Sequence, residues 1–218
     1  MAAAAAGKFH HEELYRGADA LAKLSALRVV LCGAGAVGSN LADNLVRQGL
    51  SSLRVIDHDR VEEHNVSTQL YGESEVGSWK VEALRNRLFR AAGVEVEAVR
   101  KELTAENAKH LLKSCDLVID AFDNSRSRQL VQDHCRAAQV ACLHVGLHAD
   151  YCEVIWDEQY RVPRDVAGDV CDYPLARNLV LLSVVIASEA VMSFAASGAK
   201  ESRSATLKDL SVLPLAGG

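Results

Sequence analysis

Short apolar runs alternate with amphipathic stretches from residue 28 to residue 157. The apolar runs predict strands over residues 28–33 (RVVLCG), 53–57 (LRVID), 94–99, 116–120 (DLVID) and 140–145. Between them, apolar positions recurring every three or four residues predict helices over 37–48, 79–92, 105–113 and 125–138. Strands separated by such helices build βαβ units and a parallel sheet.

The pattern changes near residue 150. Residues 151–157 (YCEVIWD) alternate as a strand does, and 158–177 is a polar stretch holding two of the three prolines. A loop of that length inside a compact unit is usually functional. An apolar helix follows over 179–197, and a last strand is expected over 205–212. The expected fold class is therefore α/β. It is a Rossmann-like, mostly parallel sheet with helices on both faces, followed by a crossover loop, a long buried helix and antiparallel edge strands. One domain over 1–218 is expected: an N-terminal helical segment (1–27), a nucleotide-binding core (28–157), a crossover loop (158–177) and a C-terminal helix and strand (178–218).

The 179–197 stretch has the length of a membrane span. Glu189 in its middle, and the small residues around it, favour a helix buried against the sheet, so no membrane association is expected. A formal net charge of −5 argues against a nucleic-acid partner, which needs a basic face. The six cysteines form no C-x-x-C pair, and the alanine run 2–6 has no apolar segment behind it to make a signal peptide. A cytoplasmic chain with reduced thiols and no structural zinc is expected. Cys142, His144, His148 and Cys152 form a looser cluster, better read as core packing than as a metal site.

Gly33-Ala34-Gly35-Ala36-Val37-Gly38 is a G-x-G-x-x-G placed after a strand and opening a helix. Gly33 permits the tight turn, Gly35 lets backbone approach a phosphate, and Gly38 lets the helix pack closely on the strand. The helix N-terminus then attracts the anion. Asp57 ends the second strand, where a carboxylate can accept from ribose hydroxyls. These features indicate an adenine nucleotide without separating NAD from ATP. Three more point to ATP: the polar stretch IDHDRVEEHNVSTQLY, the helix-start lysine of Gly77-Ser78-Trp79-Lys80, and DAFDN ending the DLVID strand. Asp120 and Asp123 there form a hard oxygen site suited to Mg²⁺, although Asp123 could instead cap the following helix.

In order and spacing, GAGAVG, DHDRVEEHNVSTQ, GSWK and DAFDN resemble the motifs of the ubiquitin-activating-enzyme-like adenylyltransferases of the ThiF/MoeB type. The resemblance covers about residues 14 to 194. It implies ATP-dependent and Mg²⁺-dependent adenylation of the C-terminal glycine of a small ubiquitin-like or sulfur-carrier protein ending in Gly-Gly. It implies Asp57 as ribose ligand, Asp59, Asn65 and Gln69 at the nucleotide, Lys80 at the phosphates and Asp123 at the metal. It also implies a homodimer.

The chain departs from the pattern at two arginines: Thr68 replaces one, and His11 stands near the other. Lys8, Arg16 and Arg128 are candidate replacements. Cys171 lies ahead of the long helix where several relatives carry a nucleophilic cysteine, so thioester or acyl-disulfide formation could follow adenylation. Two alternatives stay open: a degenerate member that binds without turnover, and a nicotinamide-dependent oxidoreductase using the same glycine loop.

Overall fold

A computed structural model describes residues 7–163 and 174–215. Two short helices, α1 (His10–Arg16) and α2 (Ala18–Ala26), precede strand β1 (Arg28–Cys32). Helix α3 (Ala36–Gln48) and β2 (Ser52–Ile56) follow, then two 3-10 turns, α4 (Lys80–Ala92) and β3 (Glu97–Val99). Helix α5 (Ala105–Leu111), β4 (Leu117–Asp120), α6 (Ser125–Ala138) and β5 (Ala141–His148) complete the βα alternation. Strand β6 (Tyr151–Trp156), α7 (Arg177–Ser197), β7 (Arg203–Thr206) and β8 (Val212–Pro214) come last.

All eight strands join one sheet in the order β3-β2-β1-β4-β5-β6-β7-β8. The five strands β3, β2, β1, β4 and β5 run parallel, and β6, β7 and β8 extend the sheet antiparallel. The chain moves outward from β1 to β2 and β3, then returns to β4 on the other side of β1. That reversal leaves a crevice at the carboxyl ends of β1 and β4, where α/β sheets bind ligands.

The parallel strands are apolar nearly throughout because both their faces are covered. Val29 and Leu31 of β1 join the core layer shared with α3, α4 and α7. Val30 and Cys32 point to the opposite layer, with Leu111 of α5 and Val131 of α6. Burying each such aliphatic side chain contributes about 1.5–3 kcal/mol.

Helix α7 is long and apolar enough to cross a bilayer by length and composition, with half of its most apolar window buried. It packs on α3, α2 and β6. Asn44 of α3 donates to Ser188 Oγ at 2.8 Å. Glu189, the charge that interrupts its apolar run, accepts two hydrogen bonds from the Arg16 guanidinium of α1.

The single strand expected over 205–212 is instead a hairpin of β7 and β8. Turn chemistry overrides the apolar pattern there: Thr206 Oγ1 accepts the Lys208 N–H at 2.9 Å and Asp209 Oδ1 accepts the Ser211 N–H at 3.0 Å.

Candidate functional site

The glycine loop leaves β1 at the crevice. Gly33 has φ +97°, a left-handed conformation that strains any residue with a Cβ. A Cβ there would also meet Ala121 O at 2.8 Å, because the turn after β4 packs directly on the loop. A Cβ on Gly38 would overlap Gly33 O, so α3 can lie this close to β1 only with glycine at that position. Gly35 differs: a Cβ there would meet nothing within 4 Å, so the loop is open at the N-terminus of α3.

Ala34 is gripped on both sides. Its N–H donates to Asp57 Oδ2 at 2.7 Å, and its carbonyl accepts from the Tyr71 hydroxyl at 2.8 Å. Both partners are buried. Burial pushes the Asp57 carboxyl above the ordinary carboxylate range, against the pull of Lys80 and of the Ala34 and Asp59 N–H groups. Burial likewise pushes the Tyr71 phenol up.

Asp57 Oδ1 accepts the Asp59 N–H at 2.7 Å, which turns the chain sharply after β2. Asp59 Oδ2 then accepts from Lys80 Nζ at 2.9 Å. Two backbone bonds, Val61 N to Ser78 O and Lys80 N to Asp59 O, dock the start of α4 against this turn. The lysine is therefore held, largely buried, at the carboxyl end of β2. Beside it Trp79 lies under two guanidiniums, Arg60 at 3.8 Å and Arg100 at 4.5 Å from the ring centroid.

The segment 65–71 folds back over the start of α3. Asn40 Nδ2 donates to Thr68 O at 3.0 Å, and Ser39 Oγ accepts the Leu70 N–H at 3.1 Å. Asn65 is buried, and its Oδ1 accepts the Glu62 N–H at 2.9 Å as part of a capping box. Gln69 has a buried Oε1 without a hydrogen-bond partner among the described residues.

Asp120 and Asp123 do not share a metal site as the sequence suggests. Asp120 is the last residue of β4, and alternation turns its side chain into the layer beneath α6. It is fully buried, with Oδ1 accepting the Phe122 N–H at 3.1 Å and Oδ2 lying 2.8 Å from His144 Nδ1. Asp123 is exposed, past the turn. It is not the helix cap either: Asn124 caps α6 by accepting the Ser127 N–H at 2.8 Å. Among the described residues, the Asp123 carboxylate makes one long contact, 3.4 Å from Asn124 Nδ2.

The candidate replacement cations are engaged elsewhere. Lys8 donates to Ala92 O, and Arg16 binds Glu12 and Glu189. Arg128 is buried, donating to Val145 O at 2.7 Å and to the Tyr160 hydroxyl at 3.1 Å. Among the described residues, Arg177 at the start of α7 brings a guanidinium to this region and contacts Ser67 O and Gln69 O at 3.5 Å on either side of Thr68. It opens a helix far along the chain, so no local signal pointed to it.

Cys142 and Cys152 lie in opposite core layers, so the Cys142, His144, His148 and Cys152 cluster does not converge. Burial pushes the Cys32 and Cys142 thiols well up, and Cys115 and Cys152 to about 11, which makes these four poor nucleophiles. Cys171 lies outside the described residues.

The family model described as ThiF family matches residues 11–159. The sulfur carrier protein ThiS adenylyltransferase of Bacillus subtilis is 35% identical over 133 residues, which are 58% of this chain and 40% of that protein. The sulfur carrier protein adenylyltransferase of Thermus thermophilus is 39% identical over 119 residues, 54% of this chain and 44% of that protein. The adenylyltransferase and sulfurtransferase MOCS3 of Anopheles gambiae is 36% identical over 121 residues, 55% of this chain and 27% of that protein. The chain thus spans less than half the length of each of these three relatives. A crystal structure of E. coli MccB with ATP superposes with a TM-score of 0.82 at 14% identity, over 97% of this chain and 72% of that one. At that identity the likeness is one of fold.

Proposed function

Because the chain belongs to the ThiF family, we propose that it uses ATP and Mg²⁺ to adenylate the C-terminal glycine of a small ubiquitin-like or sulfur-carrier protein ending in Gly-Gly. One observation carries this reading. At the carboxyl ends of the adjacent strands β2, β1 and β4, the fold gathers the open glycine loop, the Asp57–Asp59–Lys80 cluster and the unused carboxylate of Asp123.

The residues fit a nucleotide and its metal. Gly35 has room beside it, Gln69 Oε1 is an unpartnered buried acceptor, and Asp123 serves neither cap nor core. Bound Mg²⁺ would supply positive charge among negatively charged reactants. The glycine-loop backbone and the start of α3 bind phosphate oxygens. Asp57, whose Oδ2 holds the Ala34 N–H and whose Oδ1 holds the Asp59 N–H, would accept from ribose hydroxyls with its remaining lone pairs. Lys80, steadied by Asp59, contributes a fixed positive charge, and Arg177 supplies a guanidinium beside Thr68. Asp123 would hold the metal. The chemistry is then mostly positioning and charge neutralisation.

We further propose that Cys171 attacks the acyl-adenylate after this step, giving a thioester and releasing AMP. A homodimer is part of the same reading. Leu14 and Tyr15 near the end of α1 are 70% and 84% exposed, and Val185 on α7 is 54% exposed, an apolar surface a two-fold partner would cover.

The test is ATP–pyrophosphate exchange against candidate carriers ending in Gly-Gly. Carrier-dependent exchange is expected. Binding of ATP without exchange for any carrier would favour the second reading, a nucleotide-binding member without turnover. That reading draws on one observation: Lys8, Arg16 and Arg128 are all engaged within the fold. Against the nicotinamide-dependent alternative stand the family match and the Lys80 and Asp123 side chains at the phosphate end.

A further inference from the structure

Behind the turn that carries Asp123 lies a buried polar assembly that the proposed chemistry does not use. His144 on β5 is 1% exposed. Its Nδ1 meets Asp120 Oδ2 at 2.8 Å and its Nε2 lies 3.3 Å from Asp157 Oδ1. Its ring stacks on Tyr160, centroids 3.7 Å apart and planes 11° from parallel. Arg128 closes the assembly, with its guanidinium 3.5 Å from Asp120 Oδ2 and donating to the Tyr160 hydroxyl. Gln132 donates to Asp157 Oδ1 at 2.9 Å, and Arg136 pairs with Asp157 Oδ2 at 2.8 Å.

This assembly joins two segments far apart in sequence. One is the turn after β4. Asp120 Oδ1 accepts the Phe122 N–H, and Ala121 packs against both Gly33 and Gly38. The other is residues 157–160, where the chain leaves β6 toward 164–173. A carboxylate buried this deeply is costly unless fully paired, so a cheaper core would have placed an apolar residue at 120. The polar assembly instead gives the turn one geometry.

We propose that His144 is a positioning residue: by bridging Asp120 and Asp157 it locks the turn that carries Asp123, and the glycine loop packed on it, to the root of the segment after β6. The inference rests on the adenylation reading for its rate readout, while its binding readout does not. His144 touches no reactant; it acts through Asp120. Misplacing catalytic groups by about 1 Å is enough to cost on the order of a hundredfold in rate.

The experiment compares the full chain with His144→Phe, His144→Gln and Asp157→Ala. It measures melting temperature, kcat and KM in pyrophosphate exchange, the Mg²⁺ concentration for half-maximal rate, and Mg²⁺·ATP affinity by calorimetry. His144→Phe keeps a flat ring against Tyr160 and loses both nitrogens. It should lower kcat by about tenfold or more, leave KM for ATP within about twofold, and raise the Mg²⁺ requirement. His144→Gln, which can still bond a carboxylate, should recover most of the rate. Asp157→Ala removes one end of the bridge at a partly exposed position, and it carries the test in the same direction if His144→Phe does not fold. A folded variant that melts lower but keeps wild-type kcat and Mg²⁺ dependence would overturn the proposal. Should the wild type bind Mg²⁺·ATP without exchange, the adenylation reading fails and calorimetry across Mg²⁺ concentrations decides: a raised Mg²⁺ requirement for ATP binding in the variants supports the inference, and an unchanged one overturns it. A wild type that binds no nucleotide overturns both.

Discussion

Tyr71 donates its hydroxyl hydrogen to the Ala34 carbonyl at 2.8 Å, from a side chain that is itself 2% exposed. A residue some distance along the chain thereby fixes the middle of the glycine loop. Tyr71→Phe keeps the ring and removes the hydrogen bond, leaving a buried carbonyl unpaired. Loss of about 1–3 kcal/mol of stability is expected. Nucleotide affinity should fall with it, because Ala34 loses one of the two side-chain hydrogen bonds that hold it. Denaturant melts and nucleotide titration check both effects; unchanged affinity would remove Tyr71 from the site.

Asp57 gives a prediction in pH. Its folded pKa is raised, chiefly by burial. The folded state therefore binds a proton more readily than the unfolded chain does. Its contribution to stability is fully present below the ordinary value of 3.8 and is lost as pH rises through the raised folded value. Asp57→Asn lacks this loss. The melting temperature of the variant relative to the wild type should climb as pH rises from about 4 and then level off. A difference that does not vary with pH would refute the shift.

Asp123→Ala and Asn124→Ala should separate chemistry from stability. Asn124 caps α6, and its loss should cost about 1 kcal/mol. Asp123 is exposed and caps nothing, so Asp123→Ala should melt as the wild type does. Adenylation should nevertheless fall on the order of a hundredfold or more in that variant. Full activity in Asp123→Ala would end the metal assignment.

Gly35 and Gly38 of the loop should respond differently to alanine. Gly38→Ala forces a Cβ into Gly33 O and should be severely destabilising, since backbone must move to admit it. At Gly35 a Cβ finds open space, so Gly35→Ala should leave the melting temperature unchanged while weakening ATP binding. Thermal melts with and without ATP read both. A Gly35→Ala chain stabilised by ATP as strongly as the wild type would show that phosphate does not approach that face.

Among the described residues, Arg177 makes two long contacts to backbone carbonyls on either side of Thr68. Arg177→Ala should leave stability nearly unchanged, as surface substitutions usually do. It should raise KM for ATP or lower kcat by about tenfold, the scale of one charge-assisted contact. Arg177→Lys should restore charge but not the planar fork, and so recover only part of the loss. Wild-type kinetics in Arg177→Ala would leave Thr68 without a compensating cation.

The hydrophobic pattern alone determined the alternation of strands and helices, because a strand buried on both faces and a helix buried on one impose different periods on the chain. The glycine loop was legible for a related reason. Its shape depends on backbone, and a missing Cβ at 33, 35 and 38 is written directly in the sequence. The positions of Asp57 after a strand end and of Lys80 at a helix start were legible too, since each is set by the local pattern. What only the tertiary structure decided is which polar side chains serve the fold and which remain for chemistry. Asp120 and Asp123 are three residues apart in one motif, yet alternation buries the first against His144 while the turn leaves the second exposed. Tyr71, Arg177 and His144 come from separate elements and reach their partners only when the sheet and the returning helix are assembled. Pairing across such separations is set by which faces the strands present and how the helices close over them. A local sequence window contains neither.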